Sequence, residues 1–161
     1  MSYIARADID NIFGTANVTA WSQLDATIQD TADSARIATA IAWAEEDVEN
    51  RLRDGRYAIP LAGTSGTLPK CVVEWCAVKA GVWLYRSRGM TTTANDGDAD
   101  RYAGMEKYAN EQIDLVIAGK VKPALQRQSS PGPSGPTAIA DTSGGGSAAQ
   151  NVTSGGGNWW E

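Results

Sequence analysis

The chain has 161 residues, 42% of them hydrophobic and 20% charged, enough for one globular domain and too few for two of ordinary size. It contains no histidine, which removes the usual general base, the usual proton shuttle and the commonest metal ligand. Net charge is −5, without the basic excess that phosphate-neutralising surfaces carry, so a direct grip on nucleic acid is disfavoured.

From the N-terminus, Ala5 to Phe13 predicts a short helix, with Ile9, Ile12 and Phe13 on one face and Gly14 as its stop. A polar connection to about Thr31 follows, in which Trp21, Leu24 and Ile28 keep a spacing compatible with a turn or two of helix. The strongest pattern runs from Asp33 to Leu52. Ile37, Ile41, Ala44, Val48 and Leu52 form an apolar stripe, Glu45, Glu46, Asp47 and Glu49 crowd another face, and Gly55 lies just beyond the end.

Next comes Arg56-Tyr57-Ala58-Ile59-Pro60-Leu61, where Pro60 denies helix and forces Ile59 to be extended. After a loose turn at Gly63, Ser65 and Gly66, a third helix is predicted from near Pro69, with Thr67 as cap, to about Arg88. Val72, Val73, Cys76, Ala77, Ala80, Val82 and Leu84 make it apolar over most of its circumference, which predicts the central helix. After a polar break at Thr91 to Asn95, a fourth helix is predicted from Asp98 to Ala118, with Tyr102, Met105, Ala109, Ile113 and Val116 facing inward and Gly119 as its stop. The fold class is therefore all-α: a small bundle of about four helices in residues 1–128, followed by an extended Gly/Ser/Pro-rich C-terminal tail at 129–161.

That tail holds 8 of the 17 glycines, 3 of the 6 prolines and only two charges, Asp141 and Glu161. It cannot build a core of its own. Its Trp159-Trp160 pair contributes at most about 10 kcal/mol on burial, whereas fixing the tail's backbone costs on the order of 30 to 60 kcal/mol. An ordered tail thus needs a partner that supplies main-chain bonds and docking along its length, with Ile139 and Val152 as further contacts.

Chemical sites are scarce. Asp96, Asp98 and Asp100 alternate as calcium ligands do, but Arg101 and Lys107 occupy the positions of the obligatory glycine and glutamate, so an acidic helix start is the better reading. Gly63 to Lys70 lacks the Gly-Lys-Ser/Thr ending of a phosphate loop. The carboxylates of Glu45, Glu46, Asp47 and Glu49 point in different directions around a helix, which favours a solvated face, or one facing a partner's arginines, over a metal or acid–base site. Cys71 and Cys76, about 140° apart around a helix, read as small buried hydrophobes in a reducing cytoplasm. No signal-like run follows Met1 and no apolar run approaches membrane-spanning length, so the expectation is a soluble intracellular product with no catalytic, metal or cofactor residues.

Several residues together resemble one family. They are Tyr3-Ile4 with Asp8-Ile9, the helix ending Val48-Glu49-x-x-Leu52, the tract Gly55-Arg56-Tyr57-Ala58-Ile59-Pro60-Leu61, Leu68-Pro69 opening an apolar helix with Leu84-Tyr85, and Arg101-Tyr102. This pattern, over residues 3 to about 120, resembles the head-tail adaptor (connector, or head-completion) proteins of tailed bacteriophages, especially the phage Mu-like small head-completion group. Gly55 to Leu61 is its most specific part, and the tail lies outside it.

The resemblance implies a non-enzymatic virion protein of the neck region, assembled in the host cytoplasm. It implies a homo-oligomeric ring, typically twelve-fold, beneath the portal protein, extending the channel through which DNA passes without specific binding and docking the next neck or tail protein, with no membrane partner. In such a protein the tail would bind the portal through Ile139, Val152, Trp159 and Trp160, and Arg56, Tyr57, Ile59, Pro60 and Leu61 would form a loop touching the ring neighbour or the next neck protein. The body's 14 basic and 17 acidic side chains would suit a lumen that does not hold DNA. Alternatives are another neck or tail-completion component, although those are more often β-rich, and a helical protein-binding module outside the virion. A hydrolase built on Glu45 to Glu49 is the weakest reading.

Overall fold

A computed structural model of the chain describes residues 2–24, 31–89 and 97–128, apart from the side chain at position 98. The tail at 129–161, Ile28 and the Thr91 to Asp96 segment lie outside the described residues. The described residues form five helices, in order α1 (Arg6–Phe13), α2 (Thr15–Ser22), α3 (Ser34–Asp54), α4 (Lys70–Ser87) and α5 (Gly97–Ile117). The all-α class holds, with one helix more than about four.

The additional helix is α2, where the sequence suggested a polar connection with a turn or two. Gly14 adopts φ +85°, a left-handed conformation that ends α1 and lets α2 begin one residue later. Val18, Trp21 and Ser22 are buried on α2, while Leu24, expected on the same face, lies past the helix end and is exposed.

Helix α3 is capped as its sequence requires. The Asp33 carboxylate accepts from the backbone N–H groups of Ala35 (3.0 Å) and Arg36 (3.1 Å), and Arg51 and Arg53 lie in the last turn, near the negative end of the dipole. Pro69 is itself the N-cap of α4, with no side-chain cap, so Thr67 does not play that part. Helix α5 ends at Gly119, φ +74°, where Lys120 N–H donates to Leu115 O and Gly119 N–H to Val116 O.

Eleven of the eighteen residues of α4 are buried, and it packs against all four other helices, which makes it the central helix. Against it lie Ile37, Ala40, Ala44, Val48 and Leu52 from α3 and Tyr102, Ala109, Ile113 and Val116 from α5. At one end Phe13, Trp21, Tyr85 and Tyr102 form an edge-to-face cluster with ring centroids 5.1 to 5.5 Å apart. At the other, the extended tract after α3 runs antiparallel to the segment after α5. Ala58 N–H donates to Gln126 O (3.0 Å), Gln126 N–H to Ala62 O (2.9 Å) and Gln128 N–H to Arg56 O (3.0 Å), and only isolated bridges, Tyr57–Arg127 and Gly63–Leu125, form between the two segments. No described helix is long and apolar enough to cross a membrane.

Candidate functional site

The tract singled out by the resemblance is a structural junction. Gly55 is the α3 C-cap, but its φ is −77° and it is Arg56, at φ +62°, that turns left-handed. Glycine eases the packing at 55 in a different way: a Cβ there would sit 3.1 Å from two carbons of the Tyr57 ring and 3.2 Å from Leu52 O, a tight fit. Tyr57 N–H reaches back to Leu52 O (3.3 Å), and the Arg127 guanidinium lies 5.4 Å over the Tyr57 ring. Leu61 N–H donates to the Tyr3 hydroxyl (2.7 Å), which in turn donates to Glu49. Burial and the bond to Glu49 hold the Tyr3 hydroxyl above its ordinary range. The N-terminus, the end of α3 and the Gly55–Leu61 tract, three pieces of one sequence pattern, thus meet at the Tyr3 hydroxyl.

This placement corrects the expected contact loop. Tyr57 and Leu61 are core residues, 1% and 5% exposed, and cannot face another molecule. Arg56 and Pro60 are exposed and Ile59 is half-buried, so only these three offer surface. Ile139, Val152, Trp159 and Trp160, expected to bind the portal, lie outside the described residues.

The acidic run on α3 is likewise occupied from within. Glu45 Oε1 accepts from the Ser2 hydroxyl (2.7 Å) and from the backbone N–H groups of Tyr3 and Ile4 (3.1 Å for Ile4), Glu49 holds Tyr3, and Asp47 Oδ2 lies 2.7 Å from Lys79 Nζ. Only Glu46 is exposed. The reading of a solvated or partner-facing acidic face fails because Glu45 and Glu49 anchor the N-terminal segment and Asp47 neutralises a cation inside the bundle. Lys79, 3% exposed in the middle of α4, is the residue that sequence reasoning missed. Its signal was a lone cation between Val78 and Ala80 on a helix apolar nearly all round, which demands an acid without saying which one.

Both cysteines are free thiols, Cys76 buried and Cys71 half-buried. Burial, reinforced by Glu45, pushes the Cys76 thiol from its ordinary 9.0 up to about 12. Between those values the unfolded chain has lost a proton that the folded chain keeps. Stability contributed by the neutral thiol is therefore complete below pH 9 and falls as pH rises, by roughly 1.4 kcal/mol per pH unit. Urea unfolding of wild type and Cys76→Ala between pH 8 and 11 should show the shallower decline in the variant; parallel curves would refute the assignment. Among the described residues no group of three or more Cys, Asp or Glu side chains is placed to hold a metal.

Among the described residues, two pockets carry exposed aromatic side chains. A groove of about 530 Å³ runs between the first half of α4 and the middle of α5, floored by Trp75, Val78 and Ala109 and walled by Met105, Tyr108 and Val121. Tyr108 is 61% exposed and Val121 41%. Its signal in the sequence was Arg101, Met105, Tyr108 and Gln112, a second stripe on α5 beside the core face. The other surface surrounds Trp43 of α3, 41% exposed, where Trp83, Arg86, Ser87 and Glu106 close a shallow pocket. Arg36 lies 5.6 Å over the Trp83 ring and donates to the Ser87 hydroxyl (2.6 Å), while Arg86 pairs with Glu106 (2.6 Å).

No curated protein matches the chain significantly. The family model for bacteriophage Mu, Gp36, matches residues 3–140, which includes Tyr3, the Gly55–Leu61 tract and both open surfaces and reaches past the body into the first part of the tail, further than the sequence pattern suggested. With most of its length covered, this chain belongs to the bacteriophage Mu Gp36 family.

Proposed function

We propose that this member of a family of phage structural or assembly proteins is a head-tail adaptor in the neck of the virion. In this reading copies of the body form a ring beneath the portal, extend the DNA channel and dock the next neck or tail protein. Residues 129–161 anchor to the portal through Ile139, Val152, Trp159 and Trp160. The protein carries out no catalysis, and DNA passes without specific binding.

The observation that supports a binding part over an enzyme is how the polar groups are distributed. The side chains that could have done chemistry, Glu45, Asp47, Glu49 and Lys79, are engaged with one another or with the N-terminal segment. What the described surface offers instead is exposed aromatic side chains in the α4–α5 groove and the Trp43 pocket, each rimmed by polar ones. Exposed apolar surfaces of this kind mark interaction sites.

Deletion of Ser129 to Glu161 tests the anchor. The truncated chain should unfold within a few degrees of the full chain yet be missing from purified particles, whereas the full chain should appear at the neck when labelled for electron microscopy. Normal incorporation of the truncated chain would overturn the anchor, and absence of the full chain from particles would overturn the adaptor reading in favour of a non-virion binding module.

A further inference from the structure

The two open surfaces differ in depth. The α4–α5 groove is the deeper of the two, while Trp43, 41% exposed on α3, borders a shallow one. They also face different ways. On α5 the groove stripe Arg101, Met105, Tyr108 and Gln112 and the residue bordering the Trp43 pocket, Glu106, are separated by about 130° around the helix axis. Each surface carries exposed charge with no ion pair among the described residues: Arg101 of α5 and Glu74 of α4 both line the groove, and Glu46, opposite in sign to Arg101, lies one turn beyond Trp43 on the same face of α3.

We propose that the α4–α5 groove of one copy receives Trp43 of the next, with Arg101 of the first meeting Glu46 of the second. The groove volume is large enough to admit an indole with room to spare. Because the joined surfaces are unlike and point in different directions, the contact is heterologous: every copy uses both, and repetition gives a ring or an open helical chain rather than a closed dimer. The inference rests on the ring-forming reading above and names the contact that would make the ring. Trp43, 41% exposed, has at most about 100 Å² left to bury, far below the roughly 1,000 Å² of a stable interface. The isolated pair is therefore weak, and closure, in which each copy is held twice, supplies the avidity.

Cross-linking of the full chain at high concentration tests the contact, because Cys71 lines the groove and Cys76 is buried. Thr39→Cys or Asn50→Cys places a second thiol about one turn before or two turns after Trp43, on exposed positions of the same face. With a short bismaleimide at least one of these variants should give a ladder of dimers, trimers and higher oligomers. Adding Cys71→Ala should remove it, and Trp43→Ala should raise the protein concentration needed by roughly thirtyfold.

In the same background Arg101→Glu alone and Glu46→Arg alone should each suppress the ladder, since like charges then face one another at every contact. An equimolar mixture of the two should restore it to the parental yield, because each mismatched groove then finds the matching knob. No ladder from either thiol variant, dimers that survive Cys71→Ala, or failure of the mixture to recover would overturn the proposal. That failure in a protein still found at the virion neck leaves the adaptor reading standing. A restored ladder from a protein absent from particles does the reverse.

Discussion

Asp47→Ala should destabilise the body by about 2 to 3 kcal/mol, while Lys79→Met should leave it as stable as wild type or more so. Lys79 is 4% exposed at its side chain and its ammonium lies 2.7 Å from Asp47 Oδ2. Removing the carboxylate strands a cation on the buried stretch of α4, and breaking a buried pair this way costs about 3 to 5 kcal/mol. The lower figure applies because Asp47 is 35% exposed, so water reaches the site and solvates part of the orphaned charge. Replacing the lysine with an unbranched apolar side chain removes the desolvation cost together with the pair, a change that is often neutral or stabilising. Asp47 then becomes an ordinary solvated carboxylate. Urea denaturation with unchanged m-values is the measurement, and the double variant should be more stable than Asp47→Ala alone. Equal losses from both single substitutions would mean that the pair itself, rather than the stranded charge, governs stability.

The same pair shows where sequence reasoning reaches its limit. The stripe Ile37, Ala44, Val48, Leu52 and the stop at Gly119 were legible because each depends on neighbours within one helix or turn. Helix α2 was partly hidden: its buried residues Val18, Trp21 and Ser22 are too few to set a period, and its start depends on the φ of Gly14. The partners of Glu45, Glu49 and Asp47 come from 32 to 46 residues away, and no local pattern encodes them, so three internal anchors read as a solvated face. Tyr57 and Leu61 failed for a related reason. An extended tract around Pro60 looks like a surface loop until the 124–128 segment pairs with it and Tyr3 reaches its far end. The family resemblance detected this junction without explaining it. Gly55 packs beside Tyr57, and Leu61, Tyr3 and Glu49 are joined through the Tyr3 hydroxyl, so these positions build the junction from within the chain.

Gly81→Ala should cost about 2 to 3 kcal/mol, although the same change in an isolated peptide spanning α4 should raise its helicity. Glycine inside a helix is worse than alanine by about 1 kcal/mol, so its place in the central helix needs a packing reason. The reason is Phe13 of α1: a Cβ at position 81 would lie 2.1 Å from Phe13 Cε2, 2.4 Å from Cδ2 and 2.8 Å from Cζ. The ring would have to retreat by about 1.5 Å to reach van der Waals distance. It has nowhere easy to go, because it stands edge-to-face with Trp21 and Tyr102, and both of those rings contact Tyr85. Overpacking costs about 1 to 3 kcal/mol, and each disturbed aromatic pair adds about 0.5 to 1.5 kcal/mol; together these exceed the propensity gain. The near-ultraviolet circular dichroism of the variant should weaken while its far-ultraviolet spectrum stays helical. Phe13→Leu alone should cost about 1.5 kcal/mol. Combined with Gly81→Ala, it should give a protein more stable than the sum of the two losses by about 1 to 2 kcal/mol, since the smaller side chain makes room for the methyl group. Strict additivity would show that the Phe13 ring does not rest on Gly81 in solution.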